Sequence, residues 1–241
     1  MSNTTFDFAR ELVYGKKHMN KLSFDKDKYN LVREVTKLFD IELSNLHNYS
    51  DTKYDFFGPD MIGKDTHTEY HQLFYGKLNT GWPELTNLYD SLVSDVILPY
   101  LDLDEALVQA TPNFRVQLPD NVAVVLNHWD AEPSHRHPLG EVNFIYALTD
   151  MFETNTMWIE KTTRLCDYIP LTQKAGECTS FNGNLANHYN QVNKTGKTRV
   201  SFDFRILPLN FYNPDTLIHS VTTNKHYVEG GYYKRVWATK K

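Results

Sequence analysis

The most regular stretch of the sequence is Arg199-Val200-Ser201-Phe202-Asp203-Phe204-Arg205-Ile206. Apolar and polar residues alternate through it without exception, which predicts a β-strand because successive strand side chains point to opposite faces. One face of this strand is apolar and the other is charged. Alternation alone favours a charged face in contact with solvent. In a small barrel, however, one face of every strand points inward, so the charged residues would then line the interior.

The residues around this strand predict further short strands. From about residue 112, alternating or apolar runs are separated by turn residues, which is typical of an antiparallel β architecture. The predicted strands are Phe114–Leu118, Val122–Leu126, Val142–Leu148, Thr156–Glu160, Cys178–Phe181 and Thr198–Leu207. The turn Pro119-Asp120-Asn121 predicts that the first two form a hairpin leading into His128. Several strands at this spacing indicate a sandwich or a barrel.

The first hundred residues are predicted to be mainly helical. One helix presents Leu31, Val35, Leu38 and Phe39 on a single face. A second helix begins at Pro83 and ends at Pro99, and its apolar stripe is expected to lie against a sheet. Between these helices, the aromatic-rich stretch from Tyr54 to Tyr75 has no clear period and predicts a long ordered loop. The Tyr-rich tail, Tyr227 to Trp237, has no period that indicates a structure.

Length and composition indicate one domain of the α+β class. The chain has 241 residues, of which 41% are apolar and 14% aromatic, enough for one substantial core and few for two. We expect a single domain over 1–241, with a mainly helical support region at 1–111, a β core at 112–208 and a C-terminal extension at 209–241.

Charge and cysteine content exclude several kinds of partner and compartment. The formal net charge is −5 and no basic block is long enough to follow a phosphate backbone, so no nucleic-acid partner is expected. The two cysteines, Cys166 and Cys178, form neither a disulfide framework nor a cysteine-rich zinc site, which favours a reducing compartment. The first twenty residues lack a secretory signal and no apolar run approaches membrane-spanning length. We therefore expect a soluble, cytoplasmic protein without a membrane partner.

A metal site is predicted around His128-Trp129-Asp130. In an extended segment the first and third residues project to the same side, so an imidazole and a carboxylate converge. Two histidines and one carboxylate on one face of an octahedral Fe(II) leave the opposite positions open for cosubstrate and dioxygen. The best third ligand is His188, because it follows the turn Asn182-Gly183-Asn184 and begins a new extended stretch.

An anion site is predicted on the charged face of the alternating strand. Arg199 lies eleven residues after His188. A buried guanidinium persists only when it is paired, preferably with a carboxylate that accepts two hydrogen bonds. The C5 carboxylate of 2-oxoglutarate would satisfy Arg199, and the Ser201 hydroxyl offers a second donor on the same face.

These residues belong to four stretches with an informative order. They are His128-Trp129-Asp130, Gly140-Glu141-Val142-Asn143-Phe144, Phe181-Asn182-Gly183-Asn184 with His188, and the run from Thr195 to Arg205. Together they resemble Fe(II)/2-oxoglutarate-dependent oxygenases of the double-stranded β-helix fold, particularly the streptomycin-biosynthesis hydroxylase-like and phytanoyl-CoA-dioxygenase-like proteins. The resemblance covers roughly residues 112 to 208. His-x-Asp alone is a weak signal, whereas its combination with a distal His and Arg-x-Ser is fairly specific.

The resemblance implies a fold, cofactors and a reaction. The fold would be a double-stranded β-helix, a jelly-roll or cupin-like barrel, buttressed by the N-terminal helices. His128, Asp130 and His188 would bind Fe(II), and Arg199 and Ser201 would bind 2-oxoglutarate, with Asn143 beside it. The enzyme would hydroxylate or otherwise oxidise a small polar metabolite, sugar-like or natural-product-like, using dioxygen and releasing succinate and CO2.

Two alternatives remain open from the sequence. His135-Arg136-His137 followed by Glu141 has the spacing of a cupin first motif, which His188 could complete in a metal enzyme without 2-oxoglutarate. That set leaves Arg199 without a purpose, so it ranks lower. The other alternative is a non-catalytic β-barrel that binds a carboxylated ligand.

Three further polar residues have open roles. Arg205 is a rival anchor for the cosubstrate, and Arg115 on an early strand is similar in this respect. For either arginine, a salt bridge with Asp203 is the simpler interpretation. Asn143 either points into the barrel or satisfies a backbone group.

Overall fold

The computed structural model describes residues 19–52, 54, 68–123, 127–215, 218–221 and 224–240. Its α-helices are α1 (Leu31–Phe39), α2 (Glu69–Thr80), α3 (Pro83–Leu92) and α4 (Leu98–Tyr100), with a π-helical turn at Val93–Ile97. Its strands are β1 (Met19–Lys21), β2 (Glu105–Gln109), β3 (Asn113–Gln117), β4 (Val142–Ala147), β5 (Met157–Glu160), β6 (Tyr168–Leu171), β7 (Cys178–Phe181), β8 (His188–Asn190), β9 (Arg199–Pro208) and β10 (Tyr233–Trp237). Short 3-10 helices lie at Leu43–Asn48, Glu153–Asn155 and Leu209–Phe211.

Local signals account for the helix boundaries. The Asn30 side chain accepts a hydrogen bond from the Arg33 amide and caps the start of α1. Asp40 ends that helix in the left-handed conformation, with φ of 52°, and its amide bonds to the Thr36 carbonyl. Pro83 starts α3, where its missing amide hydrogen costs nothing. The helical path continues through the π turn and Pro99 to Tyr100, one residue beyond the predicted end.

The larger sheet is centred on β9. All of its pairings are antiparallel, in the order β1-β7-β4-β9-β2-β10, and β3 also pairs with β9. On one edge β9 pairs with β4, and on the other it pairs first with β3 and then with β2. This register puts Asn143 opposite Arg205, and Gln117 opposite Arg199.

The two faces of this sheet have different partners. The apolar face packs against the helices in one core cluster that includes Val200, Phe202, Phe204 and Ile206. The opposite face contributes Ile145 and Phe181 to a second cluster with residues of the smaller antiparallel sheet, whose order is β6-β5-β8. Arg199, Ser201 and Arg205 are buried on that side of β9, and Asp203 is largely buried. The alternation therefore marks an interior polar face and not a solvated one.

The predicted α+β class with antiparallel sheets is confirmed, and most predicted strands lie within one or two residues of observed ones. The hairpin is wrong at Val122 and Ala123, which lie outside any strand, and residues 124–126 lie outside the described part. The predicted loop is wrong over residues 69–75, which belong to α2, and its residues 55–67 are not described. The signal-peptide prediction rested on the first twenty residues, of which the first eighteen are not described.

The extended stretch predicted to begin at His188 is β8. Pattern analysis did not find four short or irregular strands. They are β1, β2, β6 and β10. β1, β2 and β10 belong to the larger sheet, which therefore extends on both sides of the stretch 112–208. None of the described helices has the length and hydropathy needed to cross a membrane.

Candidate metal centre

His128, Asp130 and His188 meet at the edge of the smaller sheet. The His128 amide donates to the His188 carbonyl at 3.2 Å, and the His188 amide returns a bond of 2.9 Å to the His128 carbonyl. The Asp130 amide donates to the Gly183 carbonyl at 2.9 Å. These backbone bonds tie the His-x-Asp segment to the turn before β8, and so bring residues sixty positions apart in the sequence into one site.

The side-chain geometry suits a cation. Nε2 of His128 and Nε2 of His188 each lie 3.8 Å from Oδ1 of Asp130. The two imidazole rings are 4.4 Å apart between centroids, and the ligand atoms of the three residues lie within 4.8 Å of one another. Asp130 and His188 are buried, and His128 is partly buried. Nitrogen and oxygen lone pairs that converge in this way fit a divalent transition metal.

The protonation state of His188 favours metal binding. Its Nδ1 lies 3.2 Å from the Ala186 carbonyl, so a proton on Nδ1 leaves Nε2 free to face Asp130. Burial, and then the nearby His128, lower the pKa of His188 to about 4. The imidazole is therefore neutral near pH 7, which is the form that binds a metal.

Asp130 is held by donors on its other oxygen. Oδ2 accepts hydrogen bonds from Asn143 Nδ2 at 2.6 Å, Arg205 Nη2 at 3.0 Å and Arg205 Nε at 3.1 Å. Burial opposes ionisation of this carboxyl, but Arg205 and the three nearby histidines outweigh it and hold the pKa of Asp130 well below its usual value. The carboxylate is ionised, and Oδ1 faces the histidines.

The glycine of the turn before β8 is required by close packing. A Cβ atom at Gly183 would lie 2.6 Å from the Phe181 ring and 2.8 Å from Asn143 Nδ2. A side chain here would push Asn143 away from Asp130. Asn143 Oδ1 is buried and has no hydrogen-bond partner within the described residues.

Arg199 is buried, and within the described part of the chain it has no carboxylate beside it. Its guanidinium donates to the Asn155 carbonyl at 3.2 Å, to Ser201 Oγ at 2.9 Å, to Gln117 Oε1 at 3.3 Å and to Asn190 Oδ1. No described carboxylate lies within 4.0 Å of it, in contrast to Arg115 and Arg205. Burial, reinforced by Arg115, lowers the pKa of Arg199 to about 10, so the group remains charged near pH 7.

One cavity joins the two groups of residues. His128, His188 and Arg199 all line it. Its apolar walls are Ala123, Ile145, Met157 and Phe181. The remaining lining is polar and consists of Arg115, Asn190, Asp203 and Arg205. A ligand in this cavity therefore faces both the histidines and the Arg199 guanidinium.

The cupin-type set is not brought together. Among the described residues, His135, His137, Glu141 and His188 do not form one ligand cluster. His135 Nδ1 pairs with Glu132 at 2.8 Å instead. His137 and Glu141 do cluster with Asp130, but His137 Nδ1 is bonded to Glu141 Oε2 at 2.7 Å, and Tyr233 donates to the other Glu141 oxygen.

Both arginines of open role form the salt bridge with Asp203 that the sequence suggested. Arg115 Nε lies 2.6 Å from Asp203 Oδ2, and Arg205 Nη1 lies 2.6 Å from Asp203 Oδ1. The contact of Arg205 with Asp130 was not predicted. Alternation placed Arg205 on the interior face of its strand, but the position of Asp130 depends on its backbone bond to Gly183, which joins distant segments of the chain.

A chain with this fold and with two histidines and one aspartate in one group has a relative among known proteins. No protein-family model matches the chain. It is 34% identical over 151 residues to the streptomycin biosynthesis protein StrG of Streptomyces griseus, an alignment that covers 63% of this chain and 68% of StrG. The chain belongs to the family of StrG. The resemblance to streptomycin-biosynthesis proteins seen in the motifs is thereby confirmed.

Several solved structures align with most of the chain at low identity. A nickel complex of the non-heme monooxygenase ThoJ aligns with a TM-score of 0.45 and 14% identity, over 98% of this chain and 89% of ThoJ. The non-heme alpha-ketoglutarate-dependent carbocyclase SnoK from nogalamycin biosynthesis gives 0.46 and 14%, over 98% and 96%. EctD from S. alaskensis gives 0.47 and 11%, over 93% and 82%.

Proposed function

We propose that this protein is an Fe(II)- and 2-oxoglutarate-dependent oxygenase that hydroxylates or otherwise oxidises a small polar metabolite. His128, Asp130 and His188 bind the iron, and Arg199 with Ser201 binds the far carboxylate of 2-oxoglutarate. Succinate and CO2 are the coproducts. The observation that carries this proposal is one cavity lined by two converging histidines and by a buried arginine without a carboxylate partner among the described residues.

The donor set fits iron(II). His128, Asp130 and His188 would hold an octahedral ion on one face and would leave its other positions for cosubstrate and dioxygen. Bound iron supplies the activation of dioxygen, coupled to the oxidative decarboxylation of 2-oxoglutarate. Asn143, predicted to lie beside the cosubstrate, acts through its hydrogen bond to Asp130.

The residues around Arg199 fit a dicarboxylate. A buried guanidinium costs several kcal/mol in lost hydration unless an anion or strong acceptors compensate, and here its protein partners are neutral oxygens. A carboxylate of the cosubstrate would form charge-assisted hydrogen bonds, which are roughly twice as strong as neutral ones. Ser201 Oγ, 2.9 Å from Nη1, can donate its own hydrogen to the same carboxylate.

The proposal also covers the barrel fold and the class of substrate. We infer that the two antiparallel sheets form the double-stranded β-helix of a cupin-like, jelly-roll barrel, within one domain over 1–241 in which 1–111 provides support. The name of StrG, a streptomycin biosynthesis protein, supports a sugar-like or natural-product-like substrate.

Anaerobic titration tests the proposal without knowledge of the substrate. Fe(II) and 2-oxoglutarate together should give the visible charge-transfer absorption of their chelate on the wild-type protein. The His188→Ala variant should lose this band, and the Arg199→Gln variant should require a much higher 2-oxoglutarate concentration. Oxygen-dependent succinate formation with a panel of polar metabolites then tests catalysis.

The same titration separates the alternatives. A protein that binds divalent metal but has no affinity for 2-oxoglutarate is a metal enzyme of another kind, such as a cupin-type isomerase or epimerase. A protein that binds no divalent metal, and only carboxylated ligands, is a non-catalytic binding module. Either result contradicts the oxygenase.

A further inference from the structure

The two oxygens of Asp130 have different surroundings. Oδ1 lies 3.8 Å from Nε2 of each ligand histidine. Oδ2 accepts three hydrogen bonds, two from the Arg205 guanidinium and one from the Asn143 amide. Three donors exceed what a carboxylate oxygen needs, so Oδ2 has no capacity left for a metal ion.

The guanidinium of Arg205 is itself fixed from the far side. Its Nη1 bonds to Asp203 Oδ1 at 2.6 Å and approaches Gln109 Oε1 at 3.4 Å. Asp203 is fixed in turn by Arg115 at 2.6 Å and by Asn113 at 2.8 Å. Charges therefore alternate in a line from Arg115 through Asp203 and Arg205 to Asp130. Strand pairing holds Arg115 on β3 and Asp203 and Arg205 on β9, whereas Asp130 lies outside the strands and its amide bonds to the Gly183 carbonyl.

We propose that Arg205, together with Asn143, is a positioning residue that holds Asp130 by Oδ2 and leaves Oδ1 as the single oxygen presented to the metal. This inference rests on the proposed function only in treating Asp130 as a metal ligand. A carboxylate free to rotate could bind with both oxygens and occupy a position that the cosubstrate or dioxygen needs. The hydrogen bonds from Arg205 and Asn143 to Oδ2, here called the clamp, limit Asp130 to one coordination position.

If Arg205 acted only through its charge, its removal would strengthen metal binding, because a positive charge beside a cation site repels the cation. Positioning predicts weaker binding, since loss of a partner that orients a metal ligand typically costs about 10- to 100-fold in affinity. A lysine keeps the charge but loses the planar fork that bridges Asp130 and Asp203. The lysine variant therefore separates the two explanations.

Metal binding without cosubstrate is the direct test. The probes are Mn(II) for affinity and Co(II) for the visible spectrum, measured on wild type, Arg205→Lys, Arg205→Gln and Asn143→Ala. Both Arg205 variants should bind Mn(II) about 10- to 100-fold more weakly, with Asn143→Ala showing a smaller loss in the same direction. The Co(II) spectrum should change in shape, whereas a purely structural role lowers the amount of folded protein and hence only the amplitude.

Arg235→Lys is the matched control. Arg235 lies on β10 of the same sheet and donates to Glu229 from Nε and Nη2, as Arg205 does to Asp130, but it is not among the described residues that line the cavity with the histidines. Its variant should keep the wild-type Mn(II) affinity and Co(II) spectrum. Wild-type affinity in Arg205→Lys, or tighter binding in Arg205→Gln, overturns the positioning role. If circular dichroism shows that the Arg205 variants are unfolded, an unchanged affinity and spectrum in Asn143→Ala overturns it.

Failure of the inference is distinguishable from failure of the proposed function. A wild-type protein that binds neither Mn(II) nor Co(II) contradicts the metal centre itself, and with it the clamp. A wild-type protein that binds both, with unchanged variants, contradicts only the clamp.

Discussion

Asn190 on β8 accepts a hydrogen bond from Nη2 of Arg199 on β9, so an amide oxygen meets the buried guanidinium where a carboxylate would neutralise it. The difference between asparagine and aspartate at this position is one charge at nearly constant shape. Substitution of Asn190 by aspartate therefore changes how much of the positive charge of Arg199 remains for an anionic ligand.

The Asn190→Asp substitution should weaken 2-oxoglutarate binding by at least about tenfold. The new carboxylate pairs with Arg199 and competes with the cosubstrate, and a tenfold change corresponds to about 1.4 kcal/mol. Calorimetric titration of the Mn(II)-loaded protein measures the affinity. Mn(II) binding without cosubstrate should not weaken, and Asn190→Ala, which adds no charge, should lose much less. Equal losses in both variants would contradict competition for the guanidinium.

Arg199 and Ser201 should contribute unequally to cosubstrate binding. Removal of one member of a buried charge pair costs about 2–5 kcal/mol, whereas a neutral hydrogen bond contributes about 1 kcal/mol. Arg199→Gln should therefore lose far more 2-oxoglutarate affinity than Ser201→Ala, in titrations at saturating Mn(II). Arg205→Gln, measured under the same condition, is the comparison for the rival anchor. A loss there as large as in Arg199→Gln would transfer or divide the role.

The residues of the candidate site could be found in the sequence because their spacing follows from strand geometry. His128 and Asp130 are two positions apart, and Arg199, Ser201 and Asp203 follow the two-residue period of β9. That period fixes a shared face but does not show which face is buried. The packing of Val200 and Phe202 against helices decides this point, and no single stretch of sequence contains that information.

The network behind Asp130 depends on strand pairing between distant segments. Asn143 and Arg205 donate to the same oxygen of Asp130 and lie opposite each other on β4 and β9, a register that no local pattern specifies. Strand β6 was missed for a related reason: its four residues include Pro170, and a proline in a short run argues against a strand. Its position comes from pairing with β5.

Glu160 should make part of the stability depend on pH. It accepts hydrogen bonds from the amides of Arg164, Cys166 and Asn187, and from the Asn187 side chain. Burial opposes its ionisation, but these bonds outweigh burial and lower the pKa of Glu160 from 4.5. A lowered folded-state pKa stabilises the fold above the unfolded-state value, and this stabilisation is lost as the pH falls below about 4.5.

Urea unfolding of wild type and Glu160→Gln measures this contribution. At pH 7 the glutamine variant should be less stable by about 1–3 kcal/mol, because its NH2 group faces amide donors. The difference between the two proteins should shrink as the pH falls below 4.5. Glu153→Gln, at an exposed position, is the control for removal of one carboxylate. A difference that stays constant down to low pH would exclude the linkage.

Two glycine-to-alanine substitutions should have opposite effects on stability. At Gly183, a Cβ would lie 2.6 Å from the Phe181 ring and 2.8 Å from Asn143 Nδ2, so Gly183→Ala should lower the free energy of unfolding by about 1–3 kcal/mol. It should also weaken Mn(II) binding, since the displaced amide is a donor to Asp130. Gly76 lies inside α2, and apart from its chain neighbours and the backbone of its own helix no described atom lies within 4 Å of the added Cβ. Gly76→Ala should therefore stabilise the fold by about 0.5–1 kcal/mol and leave Mn(II) affinity unchanged. Urea unfolding measures the stability of both variants, and Mn(II) titration measures their metal affinity. Wild-type metal affinity in Gly183→Ala would show that the turn at Gly183 does not influence the metal centre.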